Sequence, residues 1–411
     1  MAYTSERLLK ELGVENMPEQ FFDYFDETMA EYEKLGVFYL EDDFTKKLND
    51  SYAFLPAKID FVLKSAKRVR ESELCARYSY LLYKMLVRAD GKVRISLNTC
   101  CPQSEDVEKK VDFEMAAYFA VLALAPKMIE YYEGRGLPKE IITSTLNDCF
   151  EGTIFLRNVT HGRDGFSDET YFNWNQLYTN YSIIRVGVLN FEINQTFPSQ
   201  MLVLTDGKGN YEILADNLEI SDDGYLTGAA GYPDAKFTAT ITETVDEYIG
   251  YPVDKDNAKV ESEKISLKKS EWQVALKKGD PTISVHIPTG VSVDSASCEY
   301  AYRECVRAVK EYFPEYKVKA IRCASWLFDP QMRDMLPPES KILQFQSKYM
   351  RFPNKSQGRG VFSFLFRKSC ENYEDLPEST SLMRKVKAHY ISGKYIYEPG
   401  GVIFFDQVDG L

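Results

Sequence analysis

The sequence predicts an α/β (α+β) chain: a helical N-terminal domain, then a mixed sheet flanked by helices, with a β-rich insertion around residues 195–268. Three observations predict it. Up to about residue 150 apolar residues recur at helical spacing, and from about residue 183 the period shortens to two. After residue 282 strand patterns alternate with helical ones, the order that builds a sheet covered by helices rather than a sandwich. With 411 residues, 44% of them hydrophobic, the chain exceeds one ordinary core and two or three domains follow.

The helical part reads "ERLLKELG", "EQFFDYFDETMAEYEKLG" and "YSYLLYKMLVRA", with Gly13, Gly36 and Gly91 as stops. "MAAYFAVLALAP", Met115 to Pro126, is a buried helix that Pro126 kinks or ends. It is well short of the roughly 20 residues a membrane span needs. "GRGLP" at 134–138 is a hinge into the helix "KEIITSTLNDCF", so a first domain is expected over 1–136 and a second over 137–411. Strands follow at "SIIRVGVLNFEI", "MLVLTD", "YEILAD" and "KFTATITETV", cut into hairpins by glycines and aspartates at 206–209, 222–234 and 250–256.

In "TISVHIPTG" (282–290) Ile283, Val285 and Ile287 share one face of a strand, leaving Ser284 and His286 on the other. "DSASCEYAYRECVRAVKEYF" then forms a helix with Asp294 as N-cap and Cys298, Ala301, Tyr302, Cys305 and Val309 on one stripe. A strand "VKAIRCAS", a turn "WLFDP", strands "KILQFQ" and "VFSFLF", and a helix "STSLMRKVKAHYISG" stopped by Gly393 complete the pattern.

A net charge of -12 is a poor match to phosphate backbones, so no nucleic-acid partner is expected, and no membrane segment either. The start "MAYTSERLLKELG" lacks the apolar core of a signal peptide, and eight cysteines show no C-x-x-C pair. A cytoplasmic, reducing location is expected. Only His161, His286 and His389 could supply imidazole ligands, so no metal is expected.

Chemistry concentrates near His286. Pro288 brings no N–H to a ladder and forces Ile287 into extended backbone, so two strands can splay there and leave a slot. A helix starting about six residues later would aim its N–H groups at that region, which suits a pyrophosphate. A plainer reading stands beside it: Pro288 ends a strand and Asp294 caps a helix.

"TISVHIP", "CASWLFDPQMRDMLPPESKILQFQ" (323–346) and "DLPESTSLMRKVKAHYISGK" (375–394) resemble successive signatures of one family. "LPKEIITSTLND" (137–148), "GRDGF" (162–166), "FNWNQLY" (172–178) and "IIRVGVLNFE" (183–192) resemble it in the same order. It is the family of bacterial acyltransferase-like proteins with a helical N-acyltransferase N-terminal domain and a GNAT-like C-terminal domain. The resemblance implies an acyl-CoA co-substrate, with no metal, whose pantetheine enters between the 282–288 strand and its neighbour, here "VKAIRCAS". It further implies transfer of the acyl group to an amine of a small-molecule acceptor. His286 is then the candidate base, with a backbone N–H near the end of its strand holding the oxyanion. Ser325 and Tyr302 complete the catalytic candidates, Tyr302 or Tyr300 as proton donor to the thiolate. Ile287, Pro288, Thr289, Gly290, Ser295 and Trp326 fall on the cofactor side.

Elsewhere His389 reads as a structural hydrogen-bonding residue and His161 as a loop residue. Asp148 and Trp174, which fit positions of the family, read as ties between the helical domain and the sheet. One departure matters. The usual (Gln/Arg)-x-x-Gly-x-(Gly/Ala) loop is replaced by "PTGVSVDSAS" with a single Gly290, while "KSQGRG" (355–360) mimics the spacing but reads as a hairpin turn. The alternative is a non-catalytic ligand-binding or interaction protein that keeps the fold. Acceptor, acyl length and oligomeric state are not legible in the sequence.

Overall fold

The computed structural model describes residues 3–97, 100–156, 163–367 and 372–409, so the expectations for His161 and for the start of "GRDGF" lie outside the described residues. The chain divides into two compact units, Met1–Val186 and Gly187–Leu411.

The first unit is built from helices α1 (Ser5–Leu12), α2 (Phe25–Leu35), α3 (Asp42–Tyr52), α4 (Ile59–Glu71), α5 (Glu73–Ala89), α6 (Val107–Leu122), α7 (Ala125–Gly134), α8 (Lys139–Phe150) and α9 (Asp168–Thr179). Gly13 and Gly36 stop α1 and α2 with positive φ, as the pattern predicts. Pro126 sits in the first turn of α7, where its missing N–H is harmless, and so divides the long apolar stretch in two. From Phe113 to Leu122 α6 is buried all round, which makes it the axis of this unit. A short antiparallel pair, β1 (Ile154–Leu156) and β2 (Asp164–Phe166), and strand β3 (Ile183–Val186) complete it. Asp148 accepts bonds here from the Tyr178 hydroxyl and from Arg185.

The second unit opens with β4 (Leu189–Thr196), β5 (Met201–Thr205), β6 (Tyr211–Ala215), β7 (Leu218–Ile220), β8 (Phe237–Ala239), β9 (Thr242–Glu243), β10 (Glu247–Asp254), β11 (Lys259–Val260), β12 (Ile265–Lys268) and β13 (Gln273–Leu276). There follow β14 (Pro281–His286), α10 (Ser295–Tyr312), β15 (Ala320–Ala324), α11 (Met332–Met335), α12 (Lys341–Gln346), β16 (Met350–Phe352), α13 (Ser381–Ile391), β17 (Gly400–Phe404) and α14 (Phe405–Asp409). The central sheet of this unit runs β16–β17–β15–β14–β4. Only β14 and β15 are parallel, as a strand–helix–strand crossover through α10 requires. The β-rich insertion forms a second, antiparallel sheet, β11–β10–β6–β5–β13.

One face of the central sheet packs on the insertion, through Ala320, Phe352, Val402 and Phe404 against Met201, Val203 and Ile213. The other face carries Phe191, whose ring meets Tyr302 of α10 edge-on at 6.3 Å.

Two strand expectations are overturned. "KILQFQ" is helix α12, because Ser340 caps it and the Gln346 amide is spent on the carbonyls of Leu327 and Asp329 rather than on a ladder. "VFSFLF" is a π-helical turn over Phe362–Phe366, in which Phe362 and Phe366 are buried and Phe364 is exposed. "KSQGRG" therefore leads into a helical turn and not into a hairpin. Strands β16 and β17 had no sequence expectation, although β17 is buried throughout and lies inside the sheet.

Candidate functional site

The site begins where a ladder stops. β14 and β15 pair at Thr282/Ala320, Ile283/Ile321 and Ser284/Arg322 and no further, yet β14 runs on to His286 and β15 to Ala324. On their outer edges both strands stay paired to the end, His286 with Asn190 and Ala324 with Gly400. The parting is therefore confined to the seam between β14 and β15 and begins at Val285 and Cys323, ahead of Pro288, which follows the end of β14. Ala324 is solvent-exposed although it lies in an interior strand, and its cross-strand partner is a glycine. Small residues and a broken ladder leave this end of the seam open to solvent at Ala324.

Cross-strand partners share a face. Ser284, His286, Glu192, Arg322 and Ala324 thus lie on one side of the sheet, while Ile283, Val285 and Phe191 lie on the other, under α10. The His286 Nε2 is 3.0 Å from the Glu192 Oε2, with the imidazole about a third exposed and the carboxylate largely covered. A carboxylate only accepts, so the hydrogen of this contact is on Nε2. The Gln195 amide donates to Glu192 Oε1 at 2.8 Å, and Arg322 Nη2 makes a long 3.5 Å contact with Gln195 Oε1. Burial holds the Arg322 guanidinium below its usual pKa, against a smaller opposing pull from Glu192. Ser284 is buried, so on β14 the open chemistry belongs to His286 alone.

The expected cofactor side sits at the same end of β14. Ile287 and Pro288 are partly exposed, Thr289 and Gly290 exposed, and a turn closes by the Val291 N–H donating to the Pro288 carbonyl at 3.3 Å. Gly290 needs its φ of +82°, with nothing within 4 Å of where a Cβ would stand. Asp294 caps α10 by accepting from the Ser297 N–H, a bond that also lowers its pKa. The Ser295 hydroxyl is turned to Glu299 at 2.8 Å.

Ser325 caps the turn after β15 by accepting from the Leu327 N–H at 3.1 Å, and its own N–H donates to the Pro399 carbonyl. Trp326 is half-buried against the cluster around Met332, Val361 and Tyr390. Tyr302 is not brought together with His286: it is buried beneath the opposite face, its hydroxyl 2.8 Å from that of Tyr349. Burial drives its pKa well up. Tyr300 is exposed, its ring close to Gly187. His389 contacts the Tyr395 carbonyl at 3.4 Å, and burial lowers its pKa.

Sequence reasoning missed Glu192, Gln195 and Arg322. A signal existed for the first: Asn190, Glu192 and Asn194 alternate with buried Leu189, Phe191 and Ile193, so that strand has a polar face. Among the described residues no group of three His, Cys, Asp or Glu side chains is placed to hold a metal, and no helix is long and apolar enough to cross a membrane.

No curated protein sequence matches the chain. Solved structures do. An acyltransferase in complex with CoA and 10C-teicoplanin aligns with a TM-score of 0.60 at 16% identity, covering 97% of this chain and 98% of that one. An acyltransferase in complex with decanoyl-CoA and teicoplanin aligns at 0.58 and 16%, with the same coverage. One with decanoyl-CoA alone aligns at 0.58 and 17%, covering 98% and 99%. At such identities the likeness establishes a shared fold. The model of the family described as "GNAT-like C-terminal domain" matches residues 183–403, more than half of the 411-residue chain, and the protein belongs to that family.

Proposed function

We propose that the protein transfers an acyl group from acyl-CoA to the amine of a small-molecule acceptor, with His286 as the base. The observation that carries the reading is the one-sided parting of β14 from β15 beside His286 and the exposed Ala324. The solved acyltransferases of the same fold hold CoA or decanoyl-CoA, and two of them hold 10C-teicoplanin or teicoplanin. This supports an acyl-CoA in the slot.

In the proposed reaction the acceptor nitrogen attacks the thioester carbonyl carbon, and its proton passes to His286 Nδ1 directly or through one water. Glu192 holds the imidazole and stabilises the imidazolium that forms. A backbone N–H of the Val285–Ile287 stretch, on the side turned toward β15, donates to the oxyanion. The C–S bond then breaks, and the imidazolium returns the proton to the departing thiolate. Tyr302 is not needed as the acid, which suits its place under the opposite face. The thiol of Cys323, on the strand bordering the slot, is buried and pushed up to about 12, which makes it a poor nucleophile.

A panel of acetyl-, octanoyl- and decanoyl-CoA in thermal-shift experiments tests the binding step, since a ligand that binds only the folded state raises the melting temperature. In turnover assays His286→Ala should lower kcat by roughly 100-fold or more. An undiminished rate removes His286 from the mechanism. One observation favours the rival reading of a non-catalytic binding protein: where a pyrophosphate would lie, the chain has one glycine and the negative Asp294 cap. Absence of stabilisation by every acyl-CoA in the panel would decide for that rival.

A further inference from the structure

If His286 takes the proton, the acceptor amine must come to the face of the sheet that His286 occupies, and other polar groups on that face become its neighbours. Arg322 is there. It pairs with Ser284 on the last rung before the strands part, two residues below the level of His286 and Ala324. Along a strand that is about 7 Å.

The guanidinium of Arg322 is poorly served. Its one hydrogen bond among the described residues is the 3.5 Å contact from Nη2 to Gln195 Oε1, and Nε is buried without a partner. Glu192 is close enough to oppose the larger lowering of the Arg322 pKa by burial, but its two oxygens face His286 and Gln195. Arginine does not escape burial by losing its proton, so a partly buried fork with idle donors costs stability unless something binds it. A planar carboxylate matches that fork, taking two parallel N–H···O bonds once the Gln195 amide, which bonds Glu192 at 2.8 Å but Arg322 only at 3.5 Å, swings aside.

We propose that Arg322 binds a carboxylate of the acceptor, so that the acceptors of this protein are amines carrying a carboxylate within about one strand rung's reach of the nitrogen, as amino acids do. This rests on the acyl-transfer reading above and specifies its substrate class. Arg322 is in this role a specificity-determining residue, and the amine chemistry stays with His286.

The test uses the full chain, octanoyl-CoA and paired acceptors that differ only in charge: free amino acids such as phenylalanine, lysine and glycine against their carboxamides. In the wild type the carboxylate member of a pair should have the higher kcat/KM. In Arg322→Gln that preference should fall by about 10- to 100-fold, as loss of a charge-assisted bidentate contact implies. Arg322→Lys, which keeps the charge but not the fork, should retain part of it. A purely structural arginine would lower both members of a pair alike, and that result overturns the proposal. So does equal use of carboxylate and carboxamide by the wild type, a readout that needs no variant to fold. Octanoyl-CoA that stabilises the protein while no amino acid is acylated overturns the acceptor class and leaves acyl transfer standing. Failure of every acyl-CoA to stabilise the protein brings down the acyl-transfer reading itself.

Discussion

His286 and Glu192 stand 94 positions apart in sequence, and the 3.0 Å contact between them fixes the orientation of the imidazole proposed as the base. Glu192→Gln keeps the shape but removes the tautomer preference, because a carboxamide oxygen or nitrogen can face Nε2. It should lower kcat by about 10-fold or more with little change in melting temperature, and steady-state kinetics beside a thermal melt would separate the two effects. A second residue-scale prediction concerns Asp329, whose carboxyl is raised from 3.8 to about 6 by burial, partly offset by N–H donors from Tyr397 and Gln331. A folded-state pKa above the unfolded one means the native state binds the proton more tightly. The contribution is therefore complete below about pH 3.8 and is lost as pH rises through about 6. Asp329→Asn should remove that decline, so the variant's melting temperature should fall less than the wild type's between pH 4 and pH 7. Parallel slopes over that window would show that Asp329 is not the titrating group.

The slot is a property of paired elements. β14 is held by β4 on one edge and β15 by β17 on the other, so the seam between them can stay open without freeing either strand. Filling it should cost function and not stability. Ala324 is exposed, so Ala324→Leu should change unfolding free energy by no more than about 0.5 kcal/mol and abolish the melting-temperature rise given by decanoyl-CoA. A variant that still responds fully to decanoyl-CoA would place the acyl chain elsewhere. The neighbouring strand shows the opposite behaviour. A Cβ on Gly400 would stand 2.3 Å from the Phe352 ring, so Gly400→Ala should destabilise by about 1–3 kcal/mol in denaturant titrations.

Across the whole molecule the second unit closes late in the chain. β17, formed by residues 400–404, is buried throughout and lies between β15 and β16, which precede it. Val402, Ile403 and Phe404 are nearly inaccessible, and removing three such side chains at about 2–5 kcal/mol each rivals the total stability of a typical domain. A chain ending at residue 399 should lose cooperative unfolding and any response to acyl-CoA. Retention of a sharp thermal transition with acyl-CoA stabilisation would show that β17 is dispensable.

Local pattern was enough for the class of fold, most helices, and the two-faced strand that carries His286. Periods of 3.6 and 2 arise from backbone geometry within a few residues, and the glycine stops and the proline at the head of α7 act over one turn. Short apolar runs were another matter. "KILQFQ" and "VFSFLF" read as strands, and what goes with helix is the Ser340 cap and the Gln346 bonds in the first and the burial of Phe362 and Phe366 in one cluster in the second. "GGVIFF" gave no periodic cue at all, since a strand buried on both faces has no alternation to show. The candidate site divides the same way. Periodicity placed His286 on the polar side of its strand, and Pro288 marked where that strand ends. That Glu192, Gln195 and Arg322 share its face follows from the register of β4, β14 and β15, whose partners lie tens of residues away. Pairing across such distances is chosen by the packing of the entire core, and only the folded chain carries that information.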